Sequence, residues 1–245
     1  MNPGFYNTIS TRFADWNYSH PYFLYAFIRA MKPAVVVECG LYRAFAACWM
    51  ARALQENNTG KLVAIDNFSL KEHVERYGDP RKHAEDNLRA CGVDGWVEIR
   101  EGETNDENLW PESADVVYLD AWHSHDAAWF ELDKAVQIGA KVIALDDTEN
   151  CVGPRLLVDK TVNNYAPMES YQRLDLHSDN GLTIFVKKQP RRLITFSQEL
   201  PYPNPGVDLR PLTPEQQAEH FKEASAITGL DYSSILNQTE HDQDV

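Results

Sequence analysis

Short apolar runs alternate with helical patterns through most of the first 165 residues. Helical spacing occurs at residues 43–55, 80–91, 127–137 and 153–163. Because strands that alternate with helices are joined by right-handed crossovers, this order predicts an α/β fold with a doubly wound, mostly parallel sheet. Four apolar runs are too short for helices and are predicted to be buried strands, at residues 34–38, 61–66, 115–119 and 141–145. Residues 96–100 alternate between apolar and polar positions and are predicted to be a further strand.

The ends of the chain have other patterns. Residues 171–177 and 181–187 are separated only by Ser178-Asp179-Asn180, which predicts a C-terminal hairpin and a seven-stranded sheet. The first residues are rich in aromatic side chains and helical in their second half, whereas the chain after Lys188 is rich in proline and ends in acidic residues. We therefore predict a helical cap over residues 1–33, the sheet domain over residues 34–188, and a connector with a short helix and an acidic tail over residues 189–245.

Composition limits the partners. The 245 residues carry a formal net charge of −14. Neutralising phosphates needs clustered Lys and Arg, so this charge disfavours nucleic acid and anionic membranes and favours a small-molecule substrate. The apolar stretch at residues 21–31 is far below the roughly 20 residues of a membrane span, and no basic-then-apolar leader precedes it.

Cysteine and aromatic residues give weaker expectations. The four cysteines have neither disulfide nor metal-site spacing, so we expect reduced thiols in a cytoplasmic protein. Four aromatic side chains near the start are candidates for a homo-oligomer contact or a lid: Phe5, Tyr6, Phe13 and Trp16.

The loop after the first strand resembles a ligand site. In an open parallel sheet, ligands bind outside the carboxyl ends of the strands. Gly40 follows the first strand, where it allows a tight turn and a close approach of the backbone. Asp66 ends the second strand 26 residues later, near the spacing at which an acidic side chain accepts hydrogen bonds from a ribose. Together they favour an adenosine-containing ligand, whereas Gly40 alone fits an ordinary turn equally well.

The fourth and fifth strands end in three aspartates, Asp120, Asp146 and Asp147. Carboxylates on one rim repel one another, and a divalent, oxygen-preferring ion such as Mg²⁺ would compensate them. Any one of these aspartates by itself would be interpreted as the cap of a helix N-terminus. His123 and His125 bracket the same corner as candidate bases, although histidines are also common in surface loops.

These segments, written VVVECGLYRAFAACWMARAL, KLVAIDNF, DVVYLDAWHSHDAAWFELDKAV and KVIALDDTENCVGPRLLVDKTV, are similar to class I S-adenosylmethionine-dependent methyltransferases. The resemblance covers about residues 34–187 and is to the catechol and caffeoyl-CoA O-methyltransferase branch. It implies a Rossmann-like methyltransferase fold and transfer of a methyl group to a small-molecule hydroxyl.

The resemblance also implies roles for individual residues. Asp120, Asp146 and Asp147 would hold the metal ion, and His123 would be the base at the position where catechol-type members have a lysine. Asp120 and His125 are further catalytic candidates. The cofactor would be lined, from its methionine part through the ribose to the adenine, by Glu38, Gly40, Tyr42, Asp66, Asn67, Phe68, Gly102, Glu103, Thr104, Asp120 and Trp122.

Two positions depart from the family pattern, and three rival interpretations stay open. Ala44 replaces the second glycine of the loop, and Ile138-Gly139-Ala140 replaces the usual Gly-Gly before the fifth strand. The first rival keeps the fold but not the catechol-type chemistry, as in sugar- and antibiotic-modifying methyltransferases or cephalosporin hydroxylase-like proteins. The second is a metal-dependent hydrolase or oxygenase that uses Asp120, His123, His125 and Asp146 without the cofactor. The third is a non-catalytic binding module.

Overall fold

The computed structural model describes residues 3–15 and 19–188. The predicted connector, helix and acidic tail over residues 189–245, and Trp16, lie outside the described residues.

Seven strands form one sheet, as predicted. They are β1 (Val35–Cys39), β2 (Lys61–Asp66), β3 (Val97–Glu101), β4 (Val116–Leu119), β5 (Val142–Leu145), β6 (Tyr171–Leu176) and β7 (Leu182–Lys187). The spatial order is β3-β2-β1-β4-β5-β7-β6. Strands β1 to β5 are parallel, while β7 is antiparallel to both β5 and β6. The order reverses between β1 and β4, which is where an open sheet of this kind binds ligands.

The helices of the described residues are α1 (Pro3–Arg12), α2 (His20–Met31), α3 (Phe45–Asn57), α4 (Lys71–Tyr77), α5 (Pro80–Ala90), α6 (His125–Gln137) and α7 (Val152–Leu156). The sequence patterns did not predict α4, which is short and has few apolar positions at helical spacing, nor a separate helix α1 within the predicted cap over residues 1–33. The predicted helix over residues 153–163 changes its winding after α7, through a π-helical turn at Leu157–Thr161 and a 3₁₀ turn at Val162–Asn164. The wider turn places Leu157, Val158 and Val162 in the core together.

The first two helices pack on α3. The Trp49 ring of α3 lies 5.1 Å from the Phe5 ring and 5.4 Å from the Tyr6 ring, and the Phe13 and Phe45 rings are 4.9 Å apart. Phe5 and Phe13 are buried. These two side chains therefore belong to the core, and the prediction of an oligomer contact or lid for them is wrong.

The described cysteines are free thiols, and Cys39, Cys48 and Cys91 are buried. Within the described part of the chain, no helix has the length and apolar character that crossing a membrane requires.

Candidate active site at the carboxyl ends of the strands

A cavity of about 300 Å³ opens where the strand order reverses. Its wall is built from the ends of β1, β2, β4 and β5, the loop after β3, the start of α2 and one face of α4. The wall contains every predicted cofactor and metal residue: Glu38, Gly40, Tyr42, Asp66, Asn67, Phe68, Gly102, Glu103, Thr104, Asp120, Trp122, Asp146 and Asp147. His123 lies in the same wall.

The loop after β1 passes close to the end of β4. Gly40 has φ +86°, and a Cβ atom there would lie 2.1 Å from the backbone oxygen of Asp120. Any larger residue would therefore push the two strand ends apart. Ala44, at the position of the second family glycine, also takes a left-handed conformation with φ +65°. An alanine tolerates this at a cost of about 1 kcal/mol, which explains why glycine is favoured there.

Asp66 organises the same loop from β2. Its Oδ2 accepts hydrogen bonds from the backbone N–H groups of Leu41 (2.7 Å) and Tyr42 (2.9 Å), and its Oδ1 accepts one from Phe68 (2.6 Å). Tyr42 and Phe68 both have positive φ. The carboxylate thus fixes two strained turns side by side, which is a structural role that the spacing argument missed.

Glu38 is the most unusual carboxyl of the cavity wall. It is 1% exposed, and its Oε2 has no hydrogen-bond partner. Burial, with the nearby Asp120 and Asp66 carboxylates, raises the pKa of Glu38 well above its usual range. A buried, unsatisfied oxygen costs roughly 1–3 kcal/mol, so this position favours a ligand that supplies a hydrogen-bond donor.

The predicted adenine side has a chain of hydrogen bonds at its rim. Glu103 accepts from the Asn67 amide at 2.8 Å and faces the Trp122 indole nitrogen at 3.3 Å. Trp122 is 49% exposed and is free to cover a ring that enters the cavity. The Thr104 hydroxyl donates instead to buried Glu131 of α6, at 2.5 Å, so it supports the loop from behind.

Asp120 and Asp146 meet at the hydroxyl of Tyr118. The Tyr118 hydroxyl lies 2.5 Å from Asp146 Oδ2 and 3.2 Å from Asp120 Oδ2. Desolvation and the Asp146 carboxylate raise the pKa of Asp120 to about 7. The three aspartates thus line one rim, and like charges are held close together there.

His123 lies between two of these carboxylates. Its Nε2 is 3.0 Å from Asp147 Oδ2 and 3.6 Å from Asp120 Oδ1. The neighbouring Asp120 and Asp147 carboxylates outweigh desolvation and raise the pKa of His123. Among the described residues, one set of three possible ligand atoms lies within 4.8 Å of one another, and it comprises His123, Asp147 and Cys151 rather than the three aspartates.

His125 does not reach the cavity. As the first residue of α6 it turns outward, where Nε2 bonds the Thr161 hydroxyl at 2.8 Å and Nδ1 lies 3.1 Å from Asp126. The Ser124 hydroxyl caps α6 and thereby fixes this direction. The prediction of a catalytic role for His125 is therefore corrected.

Two histidines of the cavity wall were missed. His73 of α4 stacks on Tyr42, with the ring centroids 3.5 Å apart, and burial lowers its pKa to about 4. His20, the first residue of α2, is 2% exposed and lies 2.7 Å from Asp146. Neither residue follows a strand, and the sequence argument considered only residues at strand ends. Both reach the cavity because α2 and α4 lie beside the sheet.

Comparisons with known proteins agree with this geometry. Residues 37–148 match the model of a family described as a methyltransferase domain. No curated protein matches the sequence.

Solved methyltransferase structures share the fold. An O-methyltransferase from Bacillus cereus in complex with S-adenosylhomocysteine is 18% identical, with a TM-score of 0.57 over 77% of this chain and 92% of that chain. A methyltransferase from Podospora anserina with S-adenosylhomocysteine bound is 14% identical, with a TM-score of 0.58 over 77% and 89%. An O-methyltransferase of tomaymycin synthesis from Streptomyces achromogenes, in complex with S-adenosylmethionine, is 15% identical, with a TM-score of 0.57 over 77% and 91%.

The fold that the resemblance implied is therefore confirmed, and residues 37–148 match a family model described as a methyltransferase domain. The sheet has the Rossmann-like order of class I methyltransferases, and the matched segment begins in β1 and ends just beyond β5. That segment contains the glycine loop, Asp66 and the three rim aspartates.

Proposed function

We propose that this protein is an S-adenosylmethionine-dependent O-methyltransferase that acts on a hydroxyl of a small molecule. One observation carries the proposal: the buried Glu38 carboxyl, with an unsatisfied oxygen, lies beside Gly40 and Asp66 in a single cavity. The methionine part of the cofactor offers an ammonium group, which is a suitable donor for Glu38. The cofactor supplies a methyl group on a sulfonium, so the protein has mainly to align the acceptor with it.

The cavity wall is acidic, which fits a cationic cofactor. Glu38, Asp66, Glu103 and the three rim aspartates all line it, whereas the residues of the wall include no lysine or arginine. A cationic sulfonium is electrostatically favoured there, and an anionic acceptor without a compensating cation is not.

The rim aspartates fit a divalent cation by their chemistry. Asp120 and Asp147 carry oxygens on either side of His123, and Asp146 is bonded to its neighbours on both oxygens. Oxygen donors of this kind suit Mg²⁺. In this proposal Asp120, Asp146 and Asp147 hold the ion, which would bind the acceptor oxygen and lower its pKa.

His123 is the proposed base. Its Nε2 lies against the Asp147 and Asp120 carboxylates, so in the neutral ring Nε2 carries the hydrogen. The other ring nitrogen, Nδ1, would take the hydroxyl proton of the acceptor, and the two carboxylates would stabilise the imidazolium that results. Because only the neutral ring accepts a proton and the pKa of His123 is raised, the rate of transfer should increase as the pH rises above 6.5.

The test is methyl transfer from methyl-labelled S-adenosylmethionine to a panel of catechols, phenols and sugar hydroxyls, with and without Mg²⁺. We expect transfer to at least one acceptor class, and Asp146→Ala should abolish the Mg²⁺-dependent part while S-adenosylhomocysteine still binds. Unchanged turnover in Asp146→Ala would exclude the metal role. No transfer to any acceptor, despite tight cofactor binding, would favour a binding module.

A second candidate is a metal-dependent hydrolase or oxygenase that does not use the cofactor. The cluster of His123, Asp147 and Cys151 supports it, because mixed nitrogen, oxygen and sulfur donors bind transition metals. Its predicted ligand set loses His125, which lies outside the cavity. Failure of S-adenosylhomocysteine to bind would favour this candidate.

A further inference from the structure

His20 joins the first α2 turn to the acidic rim of the cavity. Its Nδ1 lies 2.7 Å from Asp146 Oδ1, and its Nε2 lies 3.0 Å from the backbone oxygen of Ser178 in the turn between β6 and β7. A carbonyl oxygen and a carboxylate both accept, so these two partners favour the imidazolium form of His20, in which Nε2 donates to Ser178 and Nδ1 donates to Asp146. The ring is 2% exposed, so water does not compete for either bond.

Asp146 is thereby bonded on both oxygens. Its Oδ1 also accepts from the backbone N–H of Asp147 at 2.9 Å, and its Oδ2 accepts from the Tyr118 hydroxyl at 2.5 Å. Of these three donors, only His20 comes from outside the β4 and β5 ends. The other two come from the sheet itself, so His20 is the contact through which the N-terminal helices act on the rim.

We propose that His20 is a positioning residue, which holds the Asp146 carboxylate in the orientation that binds the divalent cation. The inference rests on the proposed function, because it gives Asp146 the role of a cation ligand. Hydrogen bonds to ligating carboxylates are a general means of fixing metal ligands, and their loss typically weakens metal binding about 10- to 100-fold.

A second set of contacts supplies the control. Ser19 donates from its backbone N–H and its hydroxyl to Asp179 Oδ2, both at 2.6 Å, and so fastens the start of α2 to the same turn. This anchor does not involve Asp146, but Asp179 Oδ2 also lies 4.0 Å from His20 Nε2. The control is therefore Ser19→Ala, which removes the hydroxyl bond of the anchor and leaves Asp179 beside His20. It tests whether docking of α2 alone, rather than the bond from His20, determines the state of the rim.

Two amide substitutions separate the bonds of His20. An asparagine amide nitrogen lies as many bonds from Cα as Nδ1, so His20→Asn retains the donor to Asp146. A glutamine amide nitrogen corresponds to Nε2, so His20→Gln retains only the donor to Ser178. Both variants remove the ionisable ring, so charge does not distinguish them.

The experiment measures Mn²⁺ binding by isothermal titration to the full chain saturated with S-adenosylhomocysteine, together with the melting temperature. We expect His20→Gln to weaken Mn²⁺ binding about 10- to 100-fold, while His20→Asn and Ser19→Ala stay within about threefold of wild type. All four proteins should bind S-adenosylhomocysteine, so that each titration starts from the saturated complex.

Equal losses in His20→Gln and His20→Asn, or failure of both to fold, would overturn the proposal in favour of a structural role. A loss in Ser19→Ala as large as that in His20→Gln would overturn it in favour of helix docking. If wild type binds S-adenosylhomocysteine but not Mn²⁺, the proposed function involves no divalent cation, and the role proposed for His20 is wrong. Wild type that binds neither would contradict the proposed function itself.

Discussion

Gly40 shows how a single residue shapes the cavity. Its missing side chain lets the loop after β1 lie against the backbone of Asp120, and its φ of +86° is costly for other residues. We expect Gly40→Ala to destabilise the fold by more than about 3 kcal/mol, because backbone would have to move to avoid the clash. Urea unfolding measures this change.

Gly139 is the matched control for that substitution. It has φ +79°, and no atom lies within 4 Å of a Cβ built there. Gly139→Ala should therefore show only the left-handed backbone cost of about 1 kcal/mol. Equal losses in the two variants would mean that the contact with Asp120 does not constrain the loop.

Sequence patterns predicted residues at strand ends well and residues elsewhere poorly. Asp66, Asp120 and Asp146 were found because the carboxyl ends of parallel strands must meet at one edge. His20 and His73 were missed because they reach the cavity from helices, where no spacing rule indicates which side chain turns inward. His125 was wrongly included because it is only two residues from His123, and the start of α6 separates the two rings.

At the scale of elements, Asp115 connects the amino ends of three strands. Its Oδ2 accepts from the backbone N–H groups of Ala34 (2.7 Å) and Val35 (3.2 Å), and its Oδ1 lies 2.7 Å from Lys141 Nζ. Despite burial, Lys141 and these N–H groups lower the pKa of Asp115. The contribution of Asp115 to the stability of the fold is thus complete above the pKa of this residue in the unfolded chain. It is lost as the pH falls through the lower pKa that the residue has in the folded protein.

We expect Asp115→Ala to lower the free energy of unfolding by about 2 kcal/mol at pH 7, since hydrogen bonds to a charged group are lost. Asp115→Asn should lose less, because one acceptor oxygen remains. Urea unfolding at pH 7 and pH 3 measures both variants. If the free energy of unfolding of wild type exceeds that of Asp115→Ala by as much at pH 3 as at pH 7, the charge of Asp115 does not contribute to the stabilisation.

Elements with strong periodicity were predicted from the sequence, and those with weak periodicity were not. The strands β1, β2, β4 and β5 are apolar on both faces because helices cover the sheet on each side, and their positions were predicted to within one residue. Helix α4 has only His73 buried among seven residues, so its sequence has no apolar stripe. Tertiary contacts decide its conformation.

At the scale of the whole molecule, buried carboxyls make stability depend on pH. Glu131 of α6 is 1% exposed, and burial raises its pKa to about 7. A carboxyl with a raised folded pKa contributes stability that is complete below its unfolded pKa and is lost as the pH rises through the folded value. The ligand-free protein should therefore lose stability between about pH 4.5 and pH 7.

Glu131→Gln should remove this loss while it retains the oxygen that accepts from Thr104. We expect the variant to exceed wild type in free energy of unfolding by up to about 3 kcal/mol at pH 8 and to match it at pH 4.5. Thermal unfolding across this range measures the difference. Parallel pH curves for the two proteins would show that Glu131 does not carry the effect.

The central claim is that the cavity beside Glu38 and Gly40 binds S-adenosylmethionine. The most direct measurement is isothermal titration of the full chain with S-adenosylhomocysteine. We expect one molecule bound per chain, with affinity in roughly the micromolar range and a marked loss in Glu38→Ala. Absence of binding at about 1 mM, the upper end of usual enzyme affinities, would contradict it.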